Sequence, residues 1–114
     1  MALDQNQVKE LTGYYPKSGV VEDGGVEFIL ISPLLLPPGC DPASVDGLLC
    51  PVLRDGYTSR LFLSSKIKHS GPGQNWNANG VIIASRQWWA VSWNTQQENL
   101  TLLGMVVAHL RAFK

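Results

Sequence analysis

The chain has 114 residues, of which 45% are hydrophobic, and nine basic residues balance nine acidic ones. This length fits a single domain over residues 1–114, and so large a hydrophobic fraction excludes an intrinsically disordered segment. Because the net charge is zero, nothing in the composition attracts nucleic acid or an anionic membrane surface, and neither is expected as a partner.

The compartment is predicted from features that the sequence lacks. Its longest apolar run, near residues 28–36, is interrupted by Ser32 and Pro33 and is far shorter than the roughly 20 residues of a membrane span. The first ten residues have neither the basic start nor the apolar stretch of a signal peptide. Cys40 and Cys50 form no C-x-x-C pair, so no zinc or thioredoxin-type site is indicated. A cytoplasmic protein without metal or cofactor is therefore expected.

The N-terminal part of the chain predicts a helix, a strand and an apolar connection. Residues 3–11 form the helix, because three apolar side chains fall on roughly one face and a Thr-Gly pair follows. Residues 22–25 are a tight turn, and the β-branched and aromatic residues 26–32 are the first strand. The prolines that follow remove ladder donors, so residues 34–36 are predicted to lie over the sheet rather than within it.

The middle of the chain predicts two more strands. Residues 45–53 form the second strand, and residues 54–57 turn the chain. Residues 59–64 form the third strand, with Leu61 and Leu63 on one face. Sequential strands joined by short turns favour an antiparallel meander.

The C-terminal part predicts a fourth strand, or a pair of short ones, and then a long helix. Residues 80–85 and 88–93 supply the strands, and residues 95–98 match a capping box. Apolar side chains then recur at helical spacing, at Leu103, Val106, Val107, Leu110 and Phe113. The layout is a small α+β domain: a short N-terminal helix, an antiparallel meander sheet of about four strands, a loop-rich region and a long C-terminal helix.

Several short motifs follow one another in a characteristic order between about Val20 and Phe113. A strand ending in Gly-Tyr at residues 56–57 is followed by another strand, by Lys-Ile-Lys-His at residues 66–69 and by Asn-Gly-Val-Ile-Ile at residues 79–83. In this order they resemble the ubiquitin-conjugating enzyme (UBC-like) superfamily, and they look closest to a bacterial branch. The resemblance implies a UBC-like fold, and it implies a ubiquitin-like protein and its activating enzyme as partners.

The residues that carry that superfamily's chemistry are replaced. The resemblance places Ile83 where the catalytic cysteine stands, and it places Ser70 and Gly71 where a Pro-Asn pair stands. A thiolate can attack and leave again, whereas isoleucine can do neither. The resemblance therefore implies a non-catalytic component, a pseudoenzyme, of a bacterial ubiquitin-like protein system. The alternative is an active conjugating enzyme whose nucleophile has moved to Cys40 or Cys50.

Three residues are catalytic candidates, and each has a structural alternative. Cys50 stands in an apolar strand, where thiols are usually buried and inert, and Cys40 has no adjacent cationic residue to lower its pKa. His69 as a general base needs a group to orient it, and the only other histidine is His109 on the predicted C-terminal helix. The alternative for His69 is a loop residue that bonds the backbone. No catalytic residue is assigned.

Four tryptophans are unusual for so small a domain and suggest a binding surface. Some of them are expected to fill the space between sheet and helix. Neighbours in a strand point to opposite faces, so at least one of the adjacent pair is expected to be exposed, where tryptophan is a common binding anchor. The predicted binding residues are Trp76, Trp88, Trp89, Trp93, Tyr57 and His69.

A second hypothesis comes from a different class of protein. In an unrelated small binding module, Trp88 or Trp93, together with the amide-rich residues 74–80, would recognise a glycan or a peptide. The oligomeric state is left open.

Overall fold

The computed structural model of the chain describes residues 3–69, 75–95 and 100–114. These residues form a six-stranded antiparallel sheet, a separate two-stranded sheet and two α-helices. The helices are α1 (Gln5–Tyr14) and α2 (Leu102–Leu110), and a 3-10 turn at Arg111–Phe113 follows α2. The strands are β1 (Gly19–Asp23), β2 (Val26–Leu35), β3 (Cys40–Asp41), β4 (Ser44–Cys50), β5 (Arg60–Leu63), β6 (Lys68–His69), β7 (Trp76–Ile83) and β8 (Arg86–Val91).

The large sheet has the strand order β1-β2-β4-β5-β8-β7, and the small one pairs β3 with β6. The meander predicted for the middle of the chain is confirmed, since β2, β4 and β5 are antiparallel neighbours. The turn at residues 54–57 is confirmed as well: Arg54 and Tyr57 exchange two backbone hydrogen bonds of 2.9 Å. Leu61 and Leu63 share one face, as predicted.

The UBC-like fold with about four strands and a long C-terminal helix is wrong. The described residues give the main sheet six strands, and α2 has nine residues before the three-residue 3-10 turn. The missed strand β1 is almost wholly exposed, so its sequence shows no alternation of apolar and polar residues that would mark a strand. Helix α2 begins where Thr101 accepts a hydrogen bond from the Gly104 N–H, six residues beyond Thr95. Residues 96–98 of the predicted capping box lie outside the described residues.

The periodic pattern of the C-terminal helix is only partly correct. Val106 and Phe113 are buried, and Leu103 and Leu110 pack partly buried against the same core. Val107 belongs to the same predicted pattern but is exposed.

The prediction that residues 34–36 leave the sheet is also wrong for Leu34 and Leu35. Strand β2 continues through them and pairs with β4 after a register shift between Ile31 and Leu34. The irregularity accommodates Pro33, which has no ladder donor. Gly47 leaves room for the Leu34 side chain, because a Cβ atom there would lie 2.7 Å from Cδ2 of Leu34.

Both faces of the large sheet are buried, each against a separate core. The helices cover the helix-side core, which includes Phe113 and whose most deeply buried members are Leu11, Ile29, Ile31, Leu34, Leu49, Leu63 and Val106. The curl-side core lies on the opposite face and consists of Phe28, Leu48, Cys50, Phe62, Ala78, Ile83, Trp88 and Ala90. The Ala84 N–H, in the β7–β8 turn, donates to the carboxylate of Asp23 in β1 at 3.1 Å. Since β1 and β7 are the opposite edges of the sheet, this bond shows that the sheet curls around the second core.

Candidate functional site

An apolar groove lies between the end of α1 and the second half of β2. Strand β1 pairs only with the first half of β2, as far as Leu30 opposite Gly19. Beyond that point the chain segment after α1 lies alongside β2. The groove, called the tyrosine groove below, has a volume of about 300 Å³ and is lined by Tyr14, Tyr15, Pro16, Lys17, Ser32, Pro33 and Leu35.

The α1 side of the groove is held by local hydrogen bonds. The helix passes the Thr-Gly pair predicted to end it and stops at Tyr14; the Tyr15 N–H then donates to the Leu11 carbonyl at 2.8 Å. Pro16 prevents the helix from continuing. The Ser18 hydroxyl and N–H both donate to the Tyr15 carbonyl, at 2.7 and 2.9 Å. The segment that carries the tyrosines is therefore fixed before any ligand arrives.

The groove exposes large apolar side chains at both of its sides. Tyr14 is 72% exposed and Leu35 is 69% exposed, and the Tyr14 and Tyr15 rings lie 6.4 Å apart between centroids at 48°. Burial, and secondarily the neighbouring Tyr14, raises the pKa of Tyr15, so its hydroxyl keeps its proton at neutral pH. Exposed tyrosine combines a large apolar surface with a hydrogen-bonding tip, the combination that is enriched at interfaces.

The polar groups of the groove are few. The Ser32 hydroxyl donates to the Asp46 carboxylate at 2.6 Å, and Arg86 donates to the other carboxylate oxygen at 3.0 Å. The hydrogen bond from Ser32 lowers the pKa of the Asp46 carboxyl, and the hydrogen bond and positive charge of Arg86 lower it further. The hydroxyl proton of Ser32 is thus committed within the protein, and Lys17 is the one charged residue among those that line the groove.

The two cysteines do not have the surroundings of a nucleophile. Cys50 is 1% exposed in the curl-side core, and Cys40 is half-buried with its Sγ 3.7 Å from the Phe113 carbonyl oxygen. Burial raises the pKa of both thiols, which lowers the fraction of thiolate at neutral pH. Both are free thiols.

His69 lies directly opposite Cys40 in the small sheet. Its ring meets the Phe113 ring edge-on, with 5.9 Å between centroids. Within the described residues neither ring nitrogen has a hydrogen-bond partner, so the expected bond to the backbone is not formed. No group among the described residues therefore orients His69 as a general base.

His109, the other histidine, bonds elsewhere. Its Nε2 lies 2.9 Å from the hydroxyl of Ser59, and both residues are buried between α2 and the sheet. Burial, followed by the positive charge of Arg60, lowers the pKa of His109 to about 4. The pair joins α2 to the sheet, and its burial leaves no path for a substrate.

The tryptophans are divided between the two faces of the sheet and form no single surface. Trp88 is 1% exposed in the curl-side core and donates to the Ile83 carbonyl. Trp76 and Trp93 pack against the helix-side core, and the Trp93 indole donates to the Ala108 carbonyl. Trp89 is half-buried, so the prediction that one of the adjacent pair is exposed is wrong, although Trp88 and Trp89 do differ in burial. In the glycan hypothesis, buried Trp88 has no face free for a sugar, and Gln74 lies outside the described residues.

Tyr57 belongs to a polar cluster around Arg60 that the sequence does not reveal. Arg60 is 3% exposed; its guanidinium lies 4.5 Å from the centroid of the Tyr57 ring and forms an ion pair of 3.0 Å with Asp55. It also donates to the Asn77 side chain and to the Val91 carbonyl. The cluster is satisfied internally, which indicates a structural role. The sequence signal that could have revealed the cluster is an arginine in a predicted strand, directly before the hydrophobic Leu-Phe-Leu segment.

The described residues form a small antiparallel α+β domain with an apolar groove and two free thiols whose pKa values burial raises. The described residues contain no group of three or more potential metal ligands. None of their helices is long and apolar enough to cross a lipid bilayer. Comparison with known proteins gives no match: no protein family, curated protein or solved structure is significantly similar to this chain.

Proposed function

We propose that the protein is a non-catalytic binding domain that takes up part of a partner protein in the tyrosine groove. The observation that carries this proposal is the groove itself, where 72%-exposed Tyr14 faces the same space as 69%-exposed Leu35. Large apolar side chains gathered on one concave surface are typical of protein interaction sites. The raised pKa values of both thiols favour binding over thioester chemistry.

The candidate partners are the ubiquitin-like protein and the activating enzyme implied by the order of the sequence motifs. These partners rest on the order of the motifs alone, since the UBC-like fold that the same motifs implied is wrong. The two free cysteines support a cytoplasmic location, where thiols stay reduced. Subcellular fractionation tests the location: recovery of the chain outside the cytoplasm would overturn it.

The experiment that tests the proposal is a binding titration with each partner encoded in the same gene neighbourhood. The immobilised chain is compared with Tyr14→Ala and with the control Leu53→Ala. Leu53 is also 72% exposed but does not line the groove. We expect Tyr14→Ala to weaken binding at least tenfold, as for a central aromatic anchor, and Leu53→Ala to leave it unchanged. Equal binding by all three proteins, or binding to neither partner, would contradict the proposal.

A charging assay tests the catalytic alternative separately. The chain is incubated with activating enzyme, ATP and the ubiquitin-like protein, and run on a non-reducing gel beside Cys40→Ser and Cys50→Ser. We expect no adduct on the chain while the activating enzyme charges itself. A reductant-sensitive adduct lost in one variant would make the protein an enzyme with a relocated nucleophile.

A further inference from the structure

The lining of the tyrosine groove restricts the chemistry of its occupant. Tyr14, Tyr15, Pro16, Pro33 and Leu35 offer flat or rigid apolar surfaces. A volume of about 300 Å³ is at the lower end of the range for ligand pockets, so it suits a short stretch of chain. Grooves lined by aromatic side chains are characteristic of sites that bind polyproline II segments.

The β2 side of the groove argues against the alternative of an added β-strand. An added strand needs a regular row of backbone donors and acceptors. Here Pro33 has no N–H, and the register of β2 against β4 shifts between Ile31 and Leu34, so the backbone of β2 is irregular along the groove. A polyproline II segment forms no ladder, and its prolines carry no N–H that would lose water without gaining a partner.

The charge of the groove adds a second restriction. Lys17 is the only charged residue that lines it, and the chain as a whole has no net charge. A ligand with a carboxylate beside its apolar part would approach this ammonium group. For an exposed pair the gain in affinity is small, but it sets the orientation of the ligand.

We propose that the tyrosine groove binds a proline-containing segment of a partner protein in the polyproline II conformation, with an acidic residue beside Lys17. This deepens the proposed function and rests on it. The tyrosine hydroxyls donate to carbonyl groups of the ligand, while the rings, Pro33 and Leu35 contact its prolines.

The test uses three fluorescein-labelled peptides and fluorescence anisotropy with the full chain. The first peptide, APPLPPLPEE, has the proposed chemistry; the second replaces every proline by alanine, and the third replaces both glutamates by lysine. We expect saturable binding of the first peptide, at least tenfold weaker binding of the second and about threefold weaker binding of the third. Equal affinity for the first two peptides would overturn the proposal.

Variants locate the binding within the groove. We expect Tyr14→Ala to weaken binding of the first peptide at least tenfold and Leu53→Ala to leave it unchanged. Lys17→Glu reverses the preference between the glutamate and lysine peptides. An unchanged affinity in Tyr14→Ala, or an unchanged preference in Lys17→Glu, would refute the assignment. A concentration-dependent dimer abolished by Tyr14→Ala would show that a second copy of the chain occupies the groove and would also refute it.

The outcome is distinguishable from that of the proposed function. If a partner protein binds in a Tyr14-dependent way while all three peptides fail, the polyproline assignment falls and the binding function stands. If neither partner nor peptide binds, both proposals fall.

Discussion

Helices bury one face of the six-stranded sheet, whereas the other face is buried by the curl of the sheet and by charged side chains. On the helix side, three hydrogen bonds join α2 to its surroundings. His109 bonds to Ser59, the Leu102 N–H donates to the Gln7 side chain, and the Trp93 indole donates to the Ala108 carbonyl. On the curl side the guanidinium groups of Arg54, Arg60 and Arg86 lie over aromatic rings. Arg54 and Arg60 lie over the ring of Phe62, and Arg86 lies over that of Trp88.

Residues 3–69, 75–95 and 100–114 thus bury both faces of one sheet without supplying a third layer. Arginine stems cover apolar surface while their charged ends form bonds at the margin. The helix side depends on the docking of elements that are distant in sequence. The curl side depends on a few large side chains, so it should respond more sharply to single truncations.

The largest expected effect is on the curl side, at Trp88. Trp88→Ala removes a fully buried ring and the indole bond to Ile83, and we expect it to lower the free energy of unfolding by about 3–5 kcal/mol. Trp89→Ala is the matched control, because the neighbouring residue is half-buried and belongs to neither core. Urea denaturation measures the free energy of unfolding of both variants. An equal loss in the two variants would mean that the curl side is not a core of its own.

Acid should weaken the helix side through His109. Its pKa is about 4 in the folded protein against 6.5 ordinarily, so between those values the unfolded chain binds a proton that the folded chain does not. Stability is unaffected above pH 6.5 and falls as the pH drops towards 4, by on the order of 3 kcal/mol in total. Denaturation midpoints from pH 7 to 4 are compared between the natural chain and His109→Gln, so that shared contributions from carboxylates cancel. Parallel pH profiles would contradict the assignment.

A substitution at Gly47 tests the close contact with Leu34 on the helix side. The Cβ atom of Gly47→Ala would meet the fully buried Leu34 at 2.7 Å. We expect a loss of about 1–3 kcal/mol from overpacking, measured by thermal or urea denaturation. Gly47→Ala with Leu34→Val makes room and should recover part of the loss. No recovery in the double variant would show that the contact is not the cause.

The smallest effect is expected at the margin of the curl side. Arg86→Met keeps an apolar stem over Trp88 but removes the ion pair with Asp46. Both side chains are partly exposed, so the loss should be about 1 kcal/mol or less, and it should shrink in high salt. Denaturation at low and high salt measures it. A loss as large as that of Trp88→Ala would show that charge rather than apolar burial maintains this face.

Local signals in the sequence determined the elements that depend on neighbouring residues. The strand at residues 60–63, the turn at residues 54–57 and the start of β2 follow from alternation, turn chemistry and β-branched residues. The opposed environments of Trp88 and Trp89 follow from the two-residue period of a strand. The burial of Cys50 followed from its apolar neighbours.

Only the tertiary structure decided the features that join distant residues. The close approach of the Leu34 side chain to Gly47 depends on the register of β2 against β4, and the burial of Arg60 depends on Asp55, Asn77 and the Val91 carbonyl. The tyrosine groove exists because β1 stops halfway along β2 and the end of α1 lies beside the remainder. No local sequence pattern encodes such a juxtaposition. The sequence of each side of the groove is that of an ordinary loop or strand, and only the register of the sheet brings the two sides together.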